Sequence, residues 1–290
     1  MNDHPSMQSI RNQRPEETPP SPWSHRLLGP FRCLPDFLVI GAQKAGTTSL
    51  TTYLDHNPGA WIARCKECNF LSGPRRPISR YRAFFPTRWK RRSMEKAAGR
   101  RILLGEGTPY DLFHPRAATE AASVLENPRI VILLRDPVAR AYSHHRHCVR
   151  LGLEDLDFEA AIAAEKERTA GEAERLLGDP SATSHHLRHH SYVARGHYAP
   201  QIRRWQQALG QDRIHVEISE HLFASPGEVL PRIEAFLGLP QGRPEAFEHR
   251  NPGVTGAPIS EKMQRELRLI YGDSNRDLSQ LLDMQLPWPH

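Results

Sequence analysis

The segment Gly41-Ala42-Gln43-Lys44-Ala45-Gly46-Thr47-Thr48 sets two glycines, a lysine and a hydroxyl run between an apolar stretch and a helical one. That order suits an anion. Backbone N–H groups at a helix N-terminus converge on one point with partial positive charge, glycines allow close approach, and lysine adds a mobile cation. Gly41, Lys44, Ala45, Gly46, Thr47, Thr48 and Ser49 therefore form a candidate phosphate cradle. It is not a Walker A loop, in which lysine follows the last glycine, because Lys44 precedes Gly46 by two positions. With no clear Walker B carboxylate either, a P-loop nucleotide kinase or phosphotransferase is the weaker alternative. A second anion site is suggested by Arg135, at the end of the apolar run Ile130 to Leu134, and by Ser143 on the stretch that follows. A guanidinium and a hydroxyl can clamp one phosphate from two sides.

Such residues work only if strand ends hold them together. Phe37-Leu38-Val39-Ile40 reads as a buried strand that stops at Gly41, and Thr47 to Leu54 reads as a helix. Further strands are expected at Ala60 to Ala63, Arg101 to Leu104, Ile130 to Leu134 and Ile214 to Ile218, with helices near Pro137 to Val149 and Phe158 to Leu177. The alternation predicts an α/β fold: a P-loop-like, doubly wound, mostly parallel sheet flanked by helices. Ligands in such sheets sit beyond the carboxyl ends of the strands. Residues 1–34, rich in Pro, Ser, Asn and Gln, read as a disordered or loosely packed tail. Residues 35–290 read as a single domain, in which the charged and then His-rich stretch 154–190 is an insertion or lid.

The loop resembles the 5′-phosphosulfate loop of sulfotransferases that use 3′-phosphoadenosine 5′-phosphosulfate (PAPS), with Gly41, Lys44, Gly46, Thr47, Thr48, Ser49 and Leu50 matching residue by residue. Arg135, Asp136, Pro137, Arg140 and Ser143 resemble the family's 3′-phosphate motif. PAPS has a phosphate at each of those positions, so the two anion sites answer one ligand. The resemblance implies PAPS as cosubstrate, transfer of its sulfuryl group to a hydroxyl or amine, and no required metal.

Lys66-Glu67-Cys68-Asn69-Phe70 resembles the Lys-Glu-x-x-Phe segment of the glycan-modifying, heparan-sulfate-type members. By that resemblance Glu67 is the general base, while Lys44 and Lys66 stabilise charge on the sulfuryl group and its leaving oxygen. A His base, as in the small-phenol type, would fall to His56 or His114. Where glycan sulfotransferases often carry Glu-Lys-Thr/Ser-Pro, this chain has Glu106-Gly107-Thr108-Pro109 and lacks the cation. Asn251 to Gly256 only faintly echoes the adenine loop. Trp205 and Phe236 read as core residues. The acceptor implied is a glycan or a small-molecule alcohol or amine, and a non-catalytic nucleotide- or glycan-binding module is the rival of another class.

Within 290 residues, a net charge of +6 suits anionic ligands without choosing among them. No nucleic acid partner is expected. No apolar run reaches the length that crosses a bilayer, so neither integral membrane association nor any location but the cytoplasm is expected. Four cysteines, Cys33, Cys65, Cys68 and Cys148, are too few for a disulfide framework and read as reduced thiols. Cys65-x-x-Cys68 has redox or zinc spacing but no second pair to complete a zinc site. The histidines at 144, 145 and 147 and at 185, 186, 189 and 190 read as solvated or as a basic lid.

Overall fold

Strand β1 (Phe37–Gly41) is buried along its whole length, as its unbroken apolar run requires of a strand covered on both faces. In the computed structural model, which describes residues 29–63, 65, 67–243, 247–248 and 259–289, it lies at the centre of a five-stranded sheet. The others are β2 (Ala60–Ile62), β3 (Leu103–Gly107), β4 (Arg129–Leu134) and β5 (Ile214–Ile218), in the order β2-β3-β1-β4-β5, every pair parallel. From β1 the chain runs out to β2 and returns to β3, then crosses β1 to reach β4 and β5. Connections leaving β1 and β4 diverge, which opens a crevice at their carboxyl ends. The doubly wound α/β architecture is the expected one.

Helices cover the sheet: α1 (Thr47–His56), α2 (Ile78–Arg82), α3 (Arg88–Ala98), α4 (Ala117–Val124), α5 (Pro137–Arg150), α6 (Phe158–Thr169), α7 (Glu172–Gly178), α8 (His185–His189), α9 (Tyr198–Leu209), α10 (Ser219–Ala224), α11 (Pro226–Leu237) and α12 (Glu261–Leu282). Helix α5 starts where Pro137 presets the first turn and the Asp136 carboxylate accepts the Val138 N–H at 3.0 Å. On α9, Trp205 is fully buried in the core, and Phe236 packs partly buried against it.

Two boundaries differ from expectation. Strand β3 begins two residues later than the apolar pattern suggests, because Arg101 turns outward to Asp36 at 3.2 Å and the same carboxylate takes the Leu104 N–H at 2.8 Å. Its glycine-rich sequence is tolerated for a packing reason: the Phe37 ring fills the space beside Gly105, where a Cβ would lie 2.2 Å away. The expected helix Phe158 to Leu177 is divided in two, since Gly171 takes a left-handed φ of 70°.

The stretch 154–190 supplies α6, α7 and α8. Buried Glu154 anchors it by accepting bonds from Arg168 at 2.6 Å and the Tyr192 hydroxyl at 3.0 Å. Leu176, Ala182 and Leu187 form a small apolar cluster against Phe113, and the Pro180 carbonyl accepts from Arg116 at 3.1 Å. Of the expected tail 1–34, residues 1–28 lie outside the described residues, as does the stretch 249–258 that contains the echoed adenine loop. Residues 29–34 are packed against the domain rather than loose, with Cys33 in the core and Arg32 donating to Phe85 O at 2.7 Å.

Gly105→Ala is expected to destabilise the protein by about 1–3 kcal/mol, the usual cost of overpacking, seen as a thermal midpoint several degrees lower. Gly227→Ala, at a helical position with nothing within 4 Å, is the matched control and should leave the midpoint unchanged or slightly raised.

Candidate active site

The loop between β1 and α1 is shaped by positions that need unusual backbone. Lys44 has φ 72° and Gly46 φ 90°, and a Cβ at Gly46 would meet the Phe223 ring at 2.7 Å. Gly46 is also the N-cap of α1, which has no side-chain cap. The first-turn N–H groups are therefore oriented for an external anion. Gly41, Ala45, Thr47 and Ser49 are buried, while Lys44 and Thr48 are half-buried. What the loop offers a phosphate is chiefly its main chain, with Lys44 and Thr48 as the more accessible side chains.

Four bonds hold this loop against neighbouring elements. The Ala42 N–H donates to Leu133 O at 2.5 Å, Arg135 donates to Lys44 O at 3.0 Å, and the Ser219 hydroxyl donates to Ala45 O at 2.8 Å. Arg195 donates to Gln43 Oε1. Arg135, assigned to the second anion site, thus braces the first.

That second site is a cavity of about 300 Å³ lined by Arg135, Ser143, Arg146 and Arg268, with Asp136 and Tyr142 at its wall. The structure brings Arg135 and Ser143 together as expected. It adds Arg146, one turn beyond Ser143 on α5, and Arg268 from α12. Helical spacing could have revealed Arg146, whereas no local signal points to Arg268. Arg268 lies 3.7 Å from Asp136, whose carboxyl is pushed up by burial and drawn down by the Val138 N–H and Arg268. Arg140 of the same motif is fully buried and donates to Tyr192 O, so it braces the fold.

On the acceptor side Glu67 is exposed on the loop after β2, and Lys66 lies outside the described residues. The expectation of four reduced thiols is corrected here. Cys65 and Cys68 form a disulfide, because the turn around Glu67 brings their Cα atoms to 5.6 Å, within bridging range. Cys33 and Cys148 are buried free thiols. The Glu67 main-chain carbonyl accepts from the Asn69 side chain at 3.0 Å, and the Asn69 side-chain oxygen Oδ1 accepts from Arg188 of α8 at 2.8 Å.

Behind Glu67 lie two buried carboxyls that sequence reasoning missed as site groups. Burial pushes Glu106 above its ordinary value, with bonds from Tyr81 at 2.6 Å and Thr108 at 3.0 Å opposing the shift and the charge of Glu67 adding to it. Burial, followed by the charge of Glu106, pushes Asp111 well up. Opposite them Arg195 and Arg188 lie over the Tyr110 ring at 4.7 and 5.3 Å. These arginines bring positive charge to the neighbourhood of Tyr110 and Asp111.

Neither alternative histidine base is both near the phosphate loop and exposed, His114 being buried. His56 is at the far end of α1, a helix of ten residues, about 15 Å from the phosphate loop. Burial, and then the nearby Arg116, Arg204, Arg188 and Arg195, lowers His114 to about 3. Among the described residues no group of three or more His, Cys, Asp and Glu is arranged to hold a metal. In the His-rich stretch, His186 and His190 bond to each other at 2.9 Å and His190 also reaches Leu153 O.

A phosphate loop and a second cationic pocket at adjoining strand ends leave the family to be decided by the chain as a whole, and residues 34–251 match the family described as Sulfotransferase domain. The chain belongs to the sulfotransferase family. A sulfotransferase from Alicyclobacillus acidocaldarius has a similar structure, with a TM-score of 0.66 at 26% identity over 88% of this chain and 98% of that one. Sequence relatives include a membrane-associated sulfotransferase of Dictyostelium discoideum, 22% identical over 90% of this chain and 68% of the relative. A bifunctional heparan sulfate N-deacetylase/N-sulfotransferase of Caenorhabditis elegans is 28% identical over 80% of this chain, which spans only 26% of that protein. This sulfotransferase is accordingly an enzyme of sulfuryl transfer with PAPS as cosubstrate.

Adenosine 3′,5′-bisphosphate should bind at least tenfold more tightly than adenosine 5′-monophosphate, since a hydrogen bond to a charged group contributes about 1.5–3 kcal/mol. Calorimetry on the native protein and on Arg135→Ala checks this. The variant should lose most of the difference between the two ligands.

Proposed function

We propose that the acceptor is a carbohydrate hydroxyl or amine and that Glu67 takes its proton while the sulfuryl group transfers in line. The observation that carries the assignment is the exposed position of Glu67 on a loop tied through Asn69 to Arg188, with the Arg195–Gln43 bond reaching the phosphate loop from the same side. A solvent-facing carboxylate there can meet an incoming acceptor. Glu106 and Asp111 are buried and do not face an incoming acceptor as Glu67 does.

PAPS supplies the activated sulfuryl group. The loop N–H groups and Lys44 hold its 5′ side and neutralise the charge that grows on the departing phosphate. Arg135 and Ser143, with Arg146 and Arg268, hold its 3′-phosphate. Lys66, adjacent to Glu67 in the chain, takes the role of a second cation at the sulfuryl group. Because ammonium and guanidinium groups can provide this neutralisation, the reading requires no metal. A carbohydrate acceptor is supported by the relatives named for heparan sulfate. Incubation with radiolabelled PAPS and a panel of glycans, amino sugars and simple alcohols should label a carbohydrate, and labelling confined to non-carbohydrate alcohols would overturn that part.

Glu67→Gln preserves size and removes the basic carboxylate. Turnover on an unactivated alcohol should fall by about 10²-fold or more, the scale of a positioned general base, while bisphosphate affinity stays the same. Wild-type turnover in this variant would refute Glu67 as the base.

Lys44→Ala should act on both steps. A loss of about 10²–10³ in turnover is expected for removing a group aimed at developing negative charge, together with weaker nucleotide binding by calorimetry.

A further inference from the structure

At the amino ends of the strands, the opposite end of the sheet from the phosphate loop, lies a cleft with a volume of about 1170 Å³. Its floor includes Asp36, Leu103 and Arg129 at the starts of β1, β3 and β4, and one wall is the face of α3 carrying Arg88, Arg91, Arg92 and Glu95. The described lining holds nine arginines, three carboxylates and no lysine. Two of those carboxylates are already committed: Asp36 to Arg91, Arg101 and the Leu104 N–H, and Glu95 to Arg91 and the Ile102 N–H. Positive charge in this concave surface exceeds its internal compensation, and an anion would relieve the like-charge repulsion.

The choice of arginine narrows the ligand. A guanidinium presents a planar fork that pairs bidentately with sulfate, carboxylate or phosphate, where an ammonium acts as a point charge. Beside the cleft, next in the chain to Arg32 and Arg88, Phe31 and Trp89 stack with ring centroids 5.3 Å apart. Both rings are largely exposed, at 46% and 59%. Their outer faces can receive the C–H face of a sugar ring.

We propose that this cleft is a second, non-catalytic glycan site that binds a sulfated or carboxylated stretch of oligosaccharide. The arginines pair with its acidic groups, and the Phe31–Trp89 pair packs against a sugar face. The proposal rests on the carbohydrate reading of the acceptor, since a glycan sulfated at several positions is the polyanion that repeated transfer would produce.

The test is calorimetry with the full chain and saturating adenosine 3′,5′-bisphosphate, using a sulfated dextran hexasaccharide, unsulfated dextran of the same length, and a single-stranded oligonucleotide of matched charge. The variant pair R88E/R92E alters exposed residues of the cleft wall. K90E/K96E makes the same charge change on the same helix at exposed residues outside the lining. R88E/R92E should weaken the sulfated hexasaccharide at least about tenfold, as expected for losing charge-assisted bonds, and K90E/K96E less than about twofold. Trp89→Ala should weaken it several-fold, the unsulfated dextran should bind far more weakly than the sulfated one, and thermal midpoints and turnover on a short acceptor should be unchanged. Equal losses in the two charge-reversal pairs, no loss in R88E/R92E, or an oligonucleotide bound as tightly with the same arginine dependence would each overturn the proposal. Binding is read without transfer, so failure of the carbohydrate reading appears separately, in the acceptor panel.

Discussion

The bond from Arg135 to the Lys44 carbonyl joins two segments that are far apart in the chain and that the proposed function assigns to one nucleotide. Together with the Ala42 N–H to Leu133 O bond, it holds the phosphate loop to the end of β4. Parallel pairing of β1 and β4 already places their carboxyl ends side by side, and these bonds convert that proximity into a fixed spacing. A nucleotide with phosphates at two positions needs such spacing, since mobile anion sites would each cost ordering entropy on binding. Tyr198 adds a brace by donating to the Arg135 carbonyl at 2.8 Å.

Charge on the acceptor side is arranged by opposition. Glu67, Glu106 and Asp111 crowd negative charge behind the loop after β2, and burial holds the latter two toward their neutral forms. Arg188 and Arg195 answer from the stretch that follows α7. The helices of 154–190 therefore do more than cover the sheet: through α8 they carry Arg188 to Asn69 beside the proposed base.

At the other end of the sheet the arginine cleft is built from strand starts and α3. One parallel sheet thus presents two cationic surfaces, about a strand length apart and of different character. The catalytic end uses backbone N–H groups and few side chains, as suits a ligand of fixed shape. The far end uses many guanidinium groups and an aromatic pair, as suits a longer and repetitive polyanion.

The sequence by itself determined the parts whose residues are neighbours. The phosphate loop, the strand before it and the helix after it are set by spacing over a few positions, where backbone geometry and side-chain type act locally. Arg135 and Ser143 were legible for the same reason, since a strand end and the first turns of a helix fix their separation. Tertiary structure alone decided the groups that converge from distant segments: Arg188, Arg195 and Arg268, the buried pair Glu106 and Asp111, and the arginines of the cleft, scattered from Arg32 to Arg213. It also turned the cysteines flanking Glu67 toward each other and removed His56 from the site by the length of a helix. Local propensity carries no information about which strand lies beside which, and that order, β2-β3-β1-β4-β5, is what brings those side chains together.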